Sequence, residues 1–321
     1  MKSKEMTFAR CALPVLMAGI ALPAVAASNN HAYVANQIDN TVSVIDTTSN
    51  AVTATVHVGT SPSGIAVSPN GANVYVANAN DNTVSVIDAA SNAVVASVPV
   101  DTFPTSVSVS TNSAEVYVTN ANDNTVSVID AASRTVAATV PVGSAPFGIA
   151  SSPLGRIVYT VNAGDNTVSV IDTKRRKVTA TLPVGNTPVN VGVGPLGLRV
   201  YVVNSGDNTI SVLDLLDSKV KTLTAGTGAD AVTTSPIGFP VYVSNGGDNT
   251  VSVLDPFKNT SLATVAVGSA PGPIAIDRKT ARIYVTNSGS NSVSVINPLT
   301  NKVIATVPVG AGPSAVATQP Q

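Results

Sequence analysis

The sequence predicts an all-β fold, a seven-bladed β-propeller of four-stranded antiparallel blades, and three observations carry that prediction. All seven tyrosines, Tyr33, Tyr75, Tyr117, Tyr159, Tyr201, Tyr242 and Tyr284, recur 42 residues apart, with one spacing of 41 between Tyr201 and Tyr242. Each repeat contains four short β-branched runs separated by turn-forming residues. Gly or Pro punctuates every unit and no 3.6-residue apolar period is present, so a helical solenoid is excluded. Four strands in a repeat of this length make one propeller blade.

Residues 1–26 read as a signal peptide rather than as fold. Lys2, Lys4 and Arg10 give a positive start, Cys11 to Leu22 is mostly apolar, and Ala24-Val25-Ala26 offers small residues for cleavage. Pro14 interrupts a short apolar run, so a retained anchor is not expected and the mature chain should carry no transmembrane segment. The protein is therefore expected to be exported, to the periplasm or to the cell surface and extracellular space. Residues 27–321 are expected to form a single propeller domain.

Within one repeat the runs are Gly64 to Ser68, Asn73 to Ala77, Thr83 to Ile87 and Ala93 to Val98, joined by Pro-Asn-Gly, Asn-Asp-Asn and Ala-Ser-Asn turns. Apolar residues on both faces of the Val-rich runs fit sheets sandwiched between neighbours. The first Tyr run has no innermost strand before it, while the chain ends in an unpaired one, Gly312 to Ala317. The C-terminal strand is thus expected to complete the first blade and remove free sheet edges.

Composition narrows function. Removing Lys2, Lys4 and Arg10 from 17 basic residues, and Glu5 from 18 acidic ones, leaves 14 against 17, so a nucleic-acid partner is not advertised. The one cysteine, Cys11, falls in the leader, which leaves no disulfide, thiol nucleophile or thiolate metal site. With Trp absent and aromatics at 4%, the core must be built from Val, Ile, Leu and Ala.

The runs Tyr75-Val76-Ala77-Asn78, Tyr117-Val118-Thr119-Asn120 and Tyr284-Val285-Thr286-Asn287, each followed by an Asn-Thr-Val-Ser-Val-Ile-Asp-like run, resemble the YVTN family of β-propeller repeats. That family is found in surface-layer-type and YncE-like exported proteins. The resemblance covers all seven units and implies a binding or surface role. It supplies no catalytic residues to carry over.

A propeller hosts many functions, so the site has to be sought where the repetition fails. Asp39, Asp81, Asp123, Asp165, Asp207 and Asp248 recur between the second and third strands and are read as closing that hairpin through their own backbone. Asp46, Asp88, Asp130, Asp172, Asp214, Asp255 and Asn297 end the third strand and start the next turn, and are read as turn closers too. A proline precedes each innermost strand except at Ala229, and the next position reads Ser63, Thr105, Phe147, Val189, Asp230, Gly272 and Ser314. Asp230 is the single charge in that ring. With Asn190, Phe147, Phe103 and Thr105 it forms the candidate ligand mouth, for a small molecule, a glycan or a protein.

Lys174-Arg175-Arg176-Lys177 is the one concentrated charge run and a candidate grip on an anionic envelope polymer such as a polysaccharide, on lipid headgroups or on nucleic acid, with a solvated turn as the plainer reading. His31, His57 and Glu115 make no triad or metal-spaced set, so neither metal nor cofactor is expected. The favoured reading is an exported non-catalytic binding or surface-interaction protein. A lactonase- or lyase-like propeller hydrolase using Asp230 and Asn190 is the rival.

Overall fold

The computed structural model describes residues 30–217 and 219–320; the expected signal peptide lies outside the described residues. These residues form seven four-stranded antiparallel sheets and no helix. One complete blade runs outward from the axis as Pro62–Val67, Asn73–Asn78, Thr83–Asp88 and Ala93–Pro99, and the others repeat it. The first blade takes its innermost strand, Pro313–Thr318, from the C-terminus. That strand pairs antiparallel with His31–Asn36, Val34 opposite Val316.

The core is a ring of seven cores, one in each seam between blades. Each tyrosine is buried and enters the seam to the next blade: Tyr33 packs with Val74, Val76 and Ile87, and Tyr75 with Val116, Val118 and Ile129. Tyr284 closes the circle against Ala32, Val34 and Ile45. The second and third strands are buried on both faces along nearly their whole length, while the outermost strands are mostly exposed.

The 41-residue spacing has a local cause. In six blades the outermost strand carries a bulge, as where Val86 pairs with Ala96 and Ile87 with Val94, skipping Val95. The outermost strand Lys219–Thr224 is one residue shorter and pairs without that bulge. The lost residue lies on the perimeter, so the seams are undisturbed.

Polar order is as regular as the packing. The Asn that ends each second strand is buried and donates through Nδ2 to the third strand; Asn120, for example, reaches Thr125 Oγ1 at 3.0 Å and Ser127 Oγ at 2.9 Å. Gly143 lies over the equivalent Asn162, where a Cβ would come within 2.6 Å of the amide, so a side chain fits only if the two groups move apart. One blade has Asp101 at this position instead, and it accepts a bond from Thr125 Oγ1 at 2.7 Å.

The recurrent Asp-Asn turn corrects the sequence reading. Its carboxylate does not close its own hairpin but accepts from the crossover loop entering the blade, 21 residues earlier: Thr60 N to Asp81 at 2.6 Å, Ser144 N to Asp165 at 2.6 Å. The following Asn, held at positive φ, reaches forward to the next crossover loop, as in Ser61 N to Asn40 at 2.7 Å and Phe103 N to Asn82 at 2.9 Å. Neighbouring blades therefore grip each loop from both sides. The second Asp series does close its own turn: Asp46 accepts from Thr48 N and Ser49 N at 3.0 and 2.7 Å.

Two outcomes follow. Asn120→Ala removes a buried amide and leaves its hydroxyl partners unpaired, and should lower the unfolding free energy by about 2 kcal/mol in denaturant titration. A chain ending at residue 310 leaves the first blade with three strands and an open edge, and should be recovered as aggregate rather than as monomer by size exclusion.

Candidate functional site

Strand direction sorts the turns onto two faces. Crossover loops and Asp-Asn turns crown one face, here called the mouth; the turns joining innermost to second strands, and third to outermost, form the opposite face. The axial channel opens at the mouth into a cavity of about 510 Å3. Its wall includes a belt of β-branched residues, Ile65, Val107, Ile149, Val191, Val232, Ile274 and Val316, each the fourth residue of an innermost strand. An apolar throat thus lies below a more varied rim.

The rim is set by the second residue of each innermost strand, and the three hydroxyl side chains among them are already engaged. Ser63 Oγ donates to Pro104 O at 2.7 Å, and Ser314 Oγ to Pro62 O at 2.6 Å, in each case the proline of the next blade. Thr105 makes the same contact to Pro146 O at 3.1 Å and lies 2.9 Å from Thr119 Oγ1. Thr105 lines the cavity, but its buried hydroxyl belongs to the seam, which removes it as a ligand donor.

Asp230 breaks this pattern. Ionised, it has no proton to give the next blade's proline carbonyl, and no side-chain hydrogen bond to it is present among the described residues. Its Oδ2 leans over Gly272, where a Cβ would sit 3.2 Å away. Burial among the channel walls pushes its pKa up to about 6. Asn190, one blade earlier, accepts from Val232 N at 3.2 Å through Oδ1, and its Nδ2 has no protein partner among the described residues.

Phe147 and Phe103 complete the group, and both are exposed, at 44% and 41%. Phe103 is held at φ 58 in a position filled elsewhere by Ser61, Ala145, Thr187, Gly228, Ala270 and Gly312. A bulky ring in a left-handed conformation is costly, and the Asn82 clamp on its amide offsets that cost. Asp230, Asn190, Phe147 and Phe103 all line the one cavity.

Sequence reasoning missed Gln37 and Ile38, which also line the mouth; Ile38 is exposed where every other blade has Gly or Asn. It also missed the charge of the whole face. Asp39, Asp81, Asp101, Asp123, Asp165, Asp207, Asp230 and Asp248 all lie in mouth-side turns, loops or strand ends, and no Lys or Arg of the described residues does. Sorting charges by repeat position would have found this.

The basic run lies elsewhere, in the turn between Thr167–Asp172 and Lys177–Pro183 on the opposite face. Arg175 pairs with Asp172 at 2.7 Å, and Arg176 with Glu115 of the neighbouring blade at 2.7 Å. The other Glu115 oxygen accepts from Tyr117 Oη at 2.6 Å. Lys174 and Lys177 have no ion pair among the described residues, so the run is half tied into the scaffold. His57 lies on an outermost strand at the perimeter. Among the described residues, no three His, Cys, Asp or Glu side chains stand close enough to share a metal ion.

No protein-family model matches the chain, and no curated protein matches it. Solved structures similar in fold include the hydrazine synthase of Kuenenia stuttgartiensis, at TM-score 0.74 and 23% identity over 82% of this chain and 92% of that one. A putative 6-phosphogluconolactonase from Bacteroides uniformis has TM-score 0.77 and 17% identity over 90% and 99% of the two chains. A functionally unknown protein from Desulfotomaculum acetoxidans has TM-score 0.79 and 17% identity over 91% and 100%. At these identities the likeness is one of fold.

The raised pKa of Asp230 has a definite sign. The folded state binds this proton more tightly than the unfolded chain, so stability falls as pH rises from about 4 through about 6. Asp230→Asn should therefore raise the unfolding free energy at pH 8 by about 2 kcal/mol, an advantage that shrinks to nothing near pH 4 in paired denaturant titrations.

Proposed function

We propose that the protein is an exported binding protein that captures a cationic, partly apolar ligand at the channel mouth. What carries this reading is the convergence of the irregular residues on one cavity: Asp230 without a protein partner, Asn190 with a free amide, and two exposed rings. Identical blades need none of these to close the ring, and the strain at Phe103 works against folding.

The chemistry of the cup selects its ligand. Eight carboxylates, with no Lys or Arg of the described residues beside them, give the mouth face a negative field that draws cations toward the axis. Phe103 and Phe147 offer faces for a cation or an apolar edge, Asp230 takes the positive group, and Asn190 Nδ2 donates to a carbonyl or hydroxyl. A protonated amine on a small apolar or sugar-like frame fits this set. Rigid blades hold these groups in place, so little ordering is needed on binding.

The lactonase-like rival shares the cavity but needs a nucleophile, base or metal set around Asp230. Metal content after purification and turnover of generic lactones separate the two readings.

A thermal-shift panel of amines, amino sugars, neutral sugars, small acids and cell-wall fragments tests the proposal. A cationic member should stabilise the wild type, and Asp230→Ala should lose that shift while keeping its own fold. Affinity should fall as pH drops through about 6, because Asp230 then loses its charge. Equal stabilisation of both proteins, or of neither, would sink the reading.

A further inference from the structure

Of the 14 Lys and Arg residues beyond position 30, all but Lys221 lie in the turns or adjoining strand ends of the face opposite the mouth, and Lys221 lies in the half of its outermost strand nearer that face. That face also holds nine Asp and Glu residues, so it carries +5 while the mouth face carries −8. The basic residues are themselves gathered. Thirteen of the 14 belong to the four blades spanning residues 146–308; Arg134 is the exception.

The same four blades replace polar turn tips with aliphatic ones. Where the second and third blades present Asn70 and Asn112, three of these four present Leu154, Leu196 and Ile237, exposed at 69%, 71% and 83%, and the fourth has Lys279. Leu216 and Leu299, in the turns before the outermost strands, are exposed at 71% and 93%. The tips adjoin one another: Leu154 lies 3.7 Å from where a Gly197 Cβ would stand, and Leu196, Leu216, Ile237 and Phe257 border one shallow depression of about 140 Å3. Arg199 lies over the Phe257 ring at 4.5 Å.

We infer that this half-face docks on an anionic lipid bilayer, with the aliphatic tips entering the headgroup layer and the basic residues meeting lipid phosphates. Charge complementarity is the first ground: a concentrated positive arc on a net-negative protein is attracted to a negative surface. The form of the patch is the second. Highly exposed aliphatic tips on protruding turns, flanked by Lys and Arg, suit a soft interface that closes around them. Docked this way, the acidic mouth faces away from the membrane.

Co-sedimentation with vesicles tests this on the chain from residue 27, so that the leader's own lipid affinity does not enter. The wild type should pellet with equal parts phosphatidylglycerol and phosphatidylcholine at low salt, and remain in solution with pure phosphatidylcholine. Lys174→Glu with Lys177→Glu should lower partitioning by about tenfold or more. Leu196→Ser, Leu216→Ser and Ile237→Ser together should do the same with an unchanged melting temperature, since these side chains are exposed. Leu154→Ser with Leu299→Ser is a second, independent apolar set. The proposal fails if the wild type does not pellet with anionic vesicles, if it pellets equally with neutral ones, or if both serine sets leave binding intact. That last outcome would indicate a grip on anionic groups in general.

Discussion

Everything in this molecule depends on the crossover loop being held by two blades at once. A propeller has no shared central core, so blade-to-blade geometry must be fixed seam by seam. The Asp-Asn dipeptide does this with two side chains pointing opposite ways, the carboxylate back to the loop entering its own blade and the amide forward to the next. Loop N–H groups that would otherwise face solvent become struts. In the seventh complete turn Ser290 takes the Asp role, accepting from Ser269 N at 3.2 Å, so the strut needs an acceptor rather than a charge.

That division of labour separates structure from recognition. Asn of the second strand, Tyr in the seam and the Asp-Asn turn repeat because each seam poses the same problem. The rim hydroxyls of Ser63, Thr105 and Ser314 are also structural, spent on proline carbonyls across the seam. Once these are accounted for, few side chains remain uncommitted. They sort by face, acid and aromatic at the mouth, aliphatic and basic on the other side.

The fold was legible because tyrosine spacing and strand-length apolar runs are local signals repeated seven times. Closure by the C-terminal strand could be read from the missing and surplus strands at the two ends. What the sequence hid were contacts made across a seam. Asp81 looked like a hairpin closer because Asp-Asn favours turns, yet its partner Thr60 is 21 residues away and belongs to the preceding loop. Thr105 looked available because its position faces the channel, but its hydroxyl rotates sideways to the next blade. Ile38 and the tips at Leu196 and Ile237 lie in turns where apolar residues carry no periodic signal.

The composite first blade also imposes an order in time. Ala32 pairs with Thr318, so the earliest strand of the propeller waits for the last few residues of the chain before its sheet is complete. Local hairpins form quickly, but this pairing must close a loop of nearly the whole domain, which makes it the late and entropically costly event of folding. A chain emerging from a ribosome or a membrane pore therefore stays an open arc until its end is free. Once shut, the circle has no frayed end from which to peel, and its lifetime is governed by the rare opening of that one joint.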